Sequence, residues 1–495
     1  MSGALFAARR VGVLLHPTSL PSPFGSGDLG HAAYRFVEFL AGAGCSVWQV
    51  LPLGPTHDDL SPYDSTSVHA GNPRLISLDW LHDRGFLDDG ELDAVRCGMR
   101  ARQWALDAAA SRFAAACARD AALAVPFAAW CDANQWLEDY ALFTAIRDAR
   151  GALPWFRWEP ALRARKPAAL ARAAAALAPR IAALRFEQYA FAQQWSALRH
   201  YAAGHGVRLF GDMPIFVAHD SADVWSAREL FLLDAEGQPI TVAGVPPDYF
   251  SADGQRWGNP HYAWDVMARD GFAWWRRRIA AQRERFDLVR IDHFRGFEAC
   301  WHIPREAASA VHGHWEPAPG EALLAALVEE SGAGTLVAEN LGIITSAVEH
   351  LRKRFALPGM LILQFAFDGD ARNTYLPHNH RPLNAVYTGT HDNDTSLGWF
   401  ESLDEATRAR LMEYLGAPAE PMPWPLVRAA LASVARLAVV PLQDLLGLGS
   451  EHRMNLPGVA QGNWGWQFRA EQLTPALAGR LRALAELYGR LPASE

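Results

Sequence analysis

Eight short apolar runs constrain what this 495-residue chain can fold into. They are Val11–Thr18, Ser46–Leu53, Val207–Val217, Leu288–Asp292, Thr335–Asn340, Met360–Phe365, Asn384–Thr390 and Ala438–Leu446. Segments with helical spacing lie between them, such as Ala32–Ala43, Gly271–Arg285, Ile344–Phe355, Glu405–Leu415 and Leu426–Leu437, and a further helix closes the chain at Thr474–Gly489. Strand and helix in alternation is the pattern of a parallel α/β sheet. Eight such units predict a (β/α)8 TIM barrel. The competing architecture is an open doubly wound sheet. Against it, the loop after the first run carries Pro17 and Pro21 where a glycine-rich phosphate loop would stand.

A barrel of this type takes about 250 residues. The surplus falls in two places, so the expectation is one catalytic barrel over 1–495 with large, mostly helical insertions after strands two and three. Residues 55–204 read as a Pro/Ser/Asp/Gly-rich loop followed by an Ala- and Arg-rich helical subdomain. Residues 218–270 read as a polar, Gly/Pro-rich insertion. The cluster Arg276-Arg277-Arg278 reads as the solvated end of a helix.

Charge and cysteine content narrow the partners. The net charge is −8 and the 46 Lys and Arg are scattered, with no basic stripe for nucleic acid. Five cysteines, none in a CxxC pair, argue against a disulfide framework and a zinc ribbon. No run of about 18 apolar residues is present, and Val11–Leu15 is too short for a secretory core, so the expectation is a cytoplasmic protein without a membrane span. The 19 Trp include several in Gly/Pro loops, where flat rings suit the C–H faces of sugars.

The chemistry centres on Asp287–Gly296, DLVRIDHFRG. Side chains alternate along a strand, so Leu288, Arg290 and Asp292 share one face while Val289 and Ile291 share the other. A core ion pair would explain Arg290 and Asp292 equally well. The other strands decide it: Asp212, Asp292, Glu339 and Asp392 each stand at or just past the end of an apolar run. In a barrel those ends meet at one mouth, where barrel enzymes keep their sites. Several carboxylates without a metal cluster suit glycosyl transfer. A retaining enzyme uses a carboxylate nucleophile and an acid/base carboxyl about 5–5.5 Å apart. Asp292 is the expected nucleophile, with Arg290 lowering its pKa. Glu339, with no cation beside it in sequence, is the expected acid/base. Asp392 would hydrogen-bond sugar hydroxyls, with His293 and His391 as further donors.

Nine segments carry a resemblance: HPTSLPSPFGSGDLG, QVLPLGPT, SPYDSTSVHAGNP, GDMPIFV, VPPDYFSADGQRWGNP, RIDHFRG, AENLG, THDNDT and LQDLLGLGSEHRMNLPG. In this order, from His16 to about Trp466, they resemble the 4-α-glucanotransferases, the amylomaltase or disproportionating-enzyme family of α-amylase-like retaining enzymes. The resemblance implies Asp292 as nucleophile, Glu339 as acid/base and Asp392 as transition-state stabiliser. It adds Arg290, His391, Asp212, Trp257, Gln255, Ser61 and Asp368 as sugar contacts, and Tyr249 and Phe250 as an aromatic loop over the acceptor side. The implied reaction moves an α-1,4-glucan segment between maltooligosaccharides, with no cofactor and no metal. The chain departs from the family pattern at His57-Asp58-Asp59, Asp64, His302 and Ala263, none of them a catalytic position. A hydrolase using the same carboxylates, an inactive glucan-binding protein and a metal-dependent hydrolase are the alternatives. The three carboxylates disfavour the second, and the lack of HxH on the first strand disfavours the third.

Overall fold

All eight apolar runs form strands of one parallel sheet in the computed structural model, which describes residues 5–247, 253–332, 334–459 and 461–492. In chain order they are β1 (Arg10–Leu14), β2 (Val47–Gln49), β3 (Arg208–Pro214), β4 (Leu288–Asp292), β5 (Leu336–Ala338), β6 (Gly359–Ile362), β7 (Asn384–Tyr387) and β8 (Leu437–Pro441). Neighbours follow chain order, with β8 hydrogen-bonded to β1. The ring closes where the Ala338 N–H on β5 donates to the Pro358 carbonyl ahead of β6, at 2.8 Å. This is the (β/α)8 barrel expected from the alternation of runs.

Period two sorts the strand residues as the sequence implies. Leu14, Val47, Phe210, Leu288, Val337 and Val439 meet inside the barrel. Val13, Val289, Ile291 and Val440 face the surrounding helices in a separate cluster. Each such side chain, taken fully out of water, contributes roughly 1.5–3 kcal/mol. The β3–β4 register sets Asp212 opposite Arg290 and Pro214 opposite Asp292. Inward-facing alternation therefore brings an acid from one strand against a base from the next.

Helices from Leu78–Asp83 to the 27-residue Ala178–Gly204 lie between β2 and β3. The long helix is tied to the loop before them by two buried glutamines. Gln188 accepts from the Gly71 N–H (2.7 Å) and donates to the Gly71 carbonyl (2.9 Å), and Gln194 accepts from the Ser77 N–H (2.7 Å). Buried amides that complete otherwise orphaned backbone groups fix a segment without a regular ladder. Among the described residues no single helix is long and apolar enough to cross a membrane.

Two expectations are corrected. The insertion after β3, expected to be mostly helical, contains strands. Thr241–Val245 and Gln255–Pro260 pair with each other, and Thr241–Val245 pairs with Ala299–Pro304, which pairs with His314–Pro317, in a four-stranded antiparallel sheet. Gly, Pro and charged residues hide the alternation, and the partner strands lie far apart in the chain. Arg278 is not a solvated helix end either. It lies within the helix Ala273–Arg285, buried, and donates to the Ile215 carbonyl (3.1 Å), the Tyr262 hydroxyl (3.2 Å) and the Pro214 carbonyl. It thus caps carbonyls at the end of β3.

Gly211, beside Asp212, has no room for a side chain: a Cβ would stand 2.2 Å from the Phe286 ring. Gly211→Ala is expected to destabilise by about 1–3 kcal/mol, the usual range for overpacking. Gly42→Ala, at an open position, serves as the control and is expected to leave Tm unchanged or slightly raised. Thermal unfolding of both variants checks this, and equal Tm values would refute the steric account.

Candidate active site

Arg290 is the centre of the barrel mouth. Its Nη1 donates to both carboxylate oxygens of Asp212, at 2.8 and 2.6 Å, and its Nη2 lies 2.9 Å from Asp292 Oδ1. The guanidinium and Asp212 are buried, while the Asp292 side chain keeps 27% of its surface open to the mouth. The planar fork allows one cation to serve two acids at once. Tyr63, from the loop after β2, donates its hydroxyl to Asp212 Oδ2 at 2.6 Å. Burial and the Asp212 charge push the Tyr63 phenol well up, so it stays a donor.

Glu339 follows β5 directly and is cradled by backbone. The His293 N–H donates to its Oε2 at 2.7 Å and the Leu341 N–H to its Oε1 at 2.9 Å. His293 reaches this position with φ of 51°, a left-handed conformation rare outside glycine. Strain of this kind persists where the surroundings impose it, and here it aims an N–H at a carboxylate.

Asp392 lies on the loop beyond β7. Asn455 donates to its Oδ1 at 2.6 Å, and His391 Nε2 stands 3.3 Å from Oδ2. The Tyr63 ring stacks on His391, with centroids 5.2 Å apart and 14° between planes. Among the described residues, the buried His293 Nε2 has no hydrogen-bond partner, whereas His391 Nε2 has the Asp392 carboxylate 3.3 Å away. Buried polar atoms are seldom left without a partner.

The electrostatics depart from expectation at Asp292. Burial pushes its carboxyl up to about 7; Arg290 pulls the other way, but Asp212, Glu339 and Asp392 add to the upward push. Burial is the largest cause; Arg290 opposes it while also facing Asp212, which takes both Nη1 contacts. Burial also raises Glu339, opposed by Arg290 and by the two backbone N–H groups. Asp392 goes the other way. Desolvation works against ionisation, yet His391, Asn455 and Arg290 hold it well below the ordinary carboxylate range. Burial holds His293 down at about 4, so its ring is neutral near pH 7.

Asp212, Arg290, Asp292, His293, Glu339, His391 and Asp392 therefore meet at one mouth. Other expected residues stand on its rim. Trp257, 39% exposed, meets the His293 ring edge-on at 4.9 Å and donates its Nε1–H to Gln255 Oε1 at 3.0 Å. Ser61 Oγ accepts from the Tyr63 N–H at 3.3 Å. Asp368, exposed beyond β6, accepts from Asn373 at 2.9 Å and does not touch the acid cluster. Tyr249 and Phe250 lie outside the described residues. Tyr63 and Asn455 were missed, although both stand inside quoted motifs, SPYD and HRMN. Nothing local marks them, because Asp212 and Asp392 are their partners only through the fold. A cavity of 660 Å³ in the helical insertion, lined by Trp80, Phe113 and Tyr189 among others, lies apart from the acids.

A parallel barrel with an acid cluster at its mouth, an Arg-linked aspartate beside a backbone-held glutamate, has the architecture of the barrel enzymes. Comparison narrows the class. A family model described as 4-alpha-glucanotransferase matches residues 15–474. The 4-alpha-glucanotransferase of Thermus thermophilus is 50% identical over 98% of this chain and 99% of its own. That of Synechocystis is 48% identical over 97% of both. Amylomaltase from Streptococcus agalactiae, solved in complex with acarbose, superposes with a TM-score of 0.94 at 37% identity, covering 98% of this chain and all of that one. The chain belongs to the 4-alpha-glucanotransferase family, enzymes of the glycosyltransferase type.

Proposed function

We propose that the protein transfers α-1,4-glucan segments between maltooligosaccharides by a retaining double displacement, with Asp292, Glu339 and Asp392 as its catalytic carboxylates. The observation that carries this reading is the division of labour among the acids. Asp292 is paired to a cation and open to the mouth, Glu339 is buried with a raised pKa, and Asp392 is held ionised. Burial raises both Asp292 and Glu339, so the roles of those two rest on geometry, and Asp392 alone of the three is set apart by being held ionised.

In the first step an Asp292 oxygen bonds to the anomeric carbon as the glycosidic C–O bond breaks. Glu339 passes its proton to the departing oxygen, and the shortened glucan leaves. In the second step the 4-hydroxyl of an acceptor attacks the same carbon, Glu339 takes back the proton, and Asp292 is released as carboxylate. The transition state carries positive charge on the sugar ring, which the ionised Asp392 stabilises. The reaction uses the form in which Glu339 holds a proton and Asp292 does not. Arg290, His391, His293 and Asp212 are read as sugar contacts at the mouth, and Ser61, Gln255, Trp257 and Asp368, with Tyr249 and Phe250, as contacts further out.

Maltotriose tests the reaction. Transfer yields glucose and longer oligomers with a constant number of reducing ends. A rise in reducing ends matching bond cleavage would mark a hydrolase and overturn the proposal. Trp257→Ala tests the rim. Its ring is half in solvent and rests on His293, so the fold does not depend on it. The expected result is unchanged Tm with transfer weakened by roughly tenfold, the size of one lost aromatic contact. A large fall in Tm would instead identify Trp257 as a structural residue.

A further inference from the structure

Asp392 stands beyond the end of β7 on a loop with no regular structure, residues 388–395, which leads into the helix Ser396–Ser402. What holds that loop comes from the segment after β8. The buried Asp444, on the short helix Leu442–Leu446, ties both of its roots. The Thr388 hydroxyl donates to Asp444 Oδ2 at 2.5 Å, the Ser396 N–H to Oδ1 at 2.7 Å and the Ser396 hydroxyl to Oδ2 at 2.7 Å. Further along the same segment, the Ser450 hydroxyl donates to Asp394 at 2.8 Å. Arg453 Nη2 donates to the Asp392 carbonyl at 2.9 Å, and Asn455 Nδ2 donates to the Asp392 carboxylate at 2.6 Å. The loop is thus clamped at its roots, its middle and its carboxylate. Of these contacts, the one from Asn455 acts on the carboxylate itself.

We propose that Asn455 is a positioning residue for transfer: its amide fixes Asp392 Oδ1 and thereby turns Oδ2 toward His391 and the sugar. The proposal rests on the reading of Asp392 as a catalytic carboxylate. A carboxylate on a solvent-facing loop has two soft torsions, and one charge-assisted hydrogen bond removes much of that freedom. Geometry pre-set before the substrate arrives costs nothing at the moment of reaction.

Three variants test it on the full-length enzyme with maltotriose. Asn455→Ala removes the donor; kcat is expected to fall roughly tenfold to hundredfold, with KM changing less than kcat and Tm close to wild type. Asn455→Asp keeps the shape but sets a second carboxylate at the position of the amide. At low pH that pair holds one proton, which serves as the missing donor. As pH rises the proton leaves and two like charges face each other. The alkaline limb of kcat is therefore expected to move to lower pH by at least about one unit. A merely space-filling role for Asn455 would leave the pH profile unmoved. Asp392→Asn is the third variant. If it is inactive while both Asn455 variants match wild type in kcat and pH profile, the positioning role is overturned. If Asp392→Asn itself turns over like wild type, the reading of Asp392 fails, and the role of Asn455 with it.

Discussion

Asp292→Asn is expected to lower turnover by on the order of 10⁴-fold or more while maltooligosaccharide binding persists, because an amide cannot form the glycosyl-enzyme bond. Binding by calorimetry and turnover from maltotriose separate the two. Activity above a trace would rule Asp292 out as nucleophile. The same variant carries a stability signature. The Asp292 carboxyl sits at about 7 in the fold, above the ordinary value of about 3.9 in an unfolded chain. Between those values the folded state holds the proton more tightly, so this group's contribution to stability declines as pH rises from about 4 through about 7. Above that, the fold carries the full cost of a buried charge among like charges. Asparagine has the same shape and no charge. The Tm of Asp292→Asn relative to wild type should accordingly be higher at pH 8 than at pH 5. A difference independent of pH would show that the acid cluster does not strain the resting site.

The barrel was legible because parallel strands buried on both faces are continuous apolar runs, and all eight stood out. Their polar ends were legible too, since a charge closing a buried strand is conspicuous. What stayed hidden depends on partners distant in sequence. Arg290 was expected to serve Asp292 alone, being two residues away on the same face. The fold gives it to Asp212 as well, 78 residues earlier in the chain, and the carboxyl of Asp292 is raised chiefly by burial, with Asp212 adding to the push. Arg278 looked like surface because three arginines in a row usually are. It is buried because the end of β3 offers it carbonyls. The four-stranded sheet that carries Gln255 and Trp257 was masked by Gly, Pro and charged residues, which local propensity counts against strands. Tyr63 and Asn455 lack any local signal of function. Their roles appear once the loops after β2 and β8 are seen to close over Asp212 and Asp392.

Arg290→Lys is expected to lower kcat by on the order of 10²-fold or more while the protein still folds. Lysine keeps the charge but not the fork. One ammonium cannot reproduce the contacts of Arg290, with two to Asp212 and one to Asp292 at 2.6–2.9 Å. Whichever acid it leaves loses its cation. Arg290→Ala removes the cation altogether, and an uncompensated buried charge costs about 3–5 kcal/mol, so that variant should lose Tm as well as activity. In Arg290→Ala the acid limb of kcat/KM is expected to move to higher pH, because Asp292 has lost the cation that opposes its burial. Asp212→Asn supplies the opposite sign. With Asp212 neutral, Arg290 is left chiefly to Asp292, and a like charge is gone from beside it. The Asp292 carboxyl should then fall, and the acid limb should move to lower pH even where substrate contacts at position 212 are lost. Opposite movements from the two variants would identify the shared guanidinium as the group that sets the charge of the nucleophile. Movement in the same direction would break that link, whatever happened to kcat.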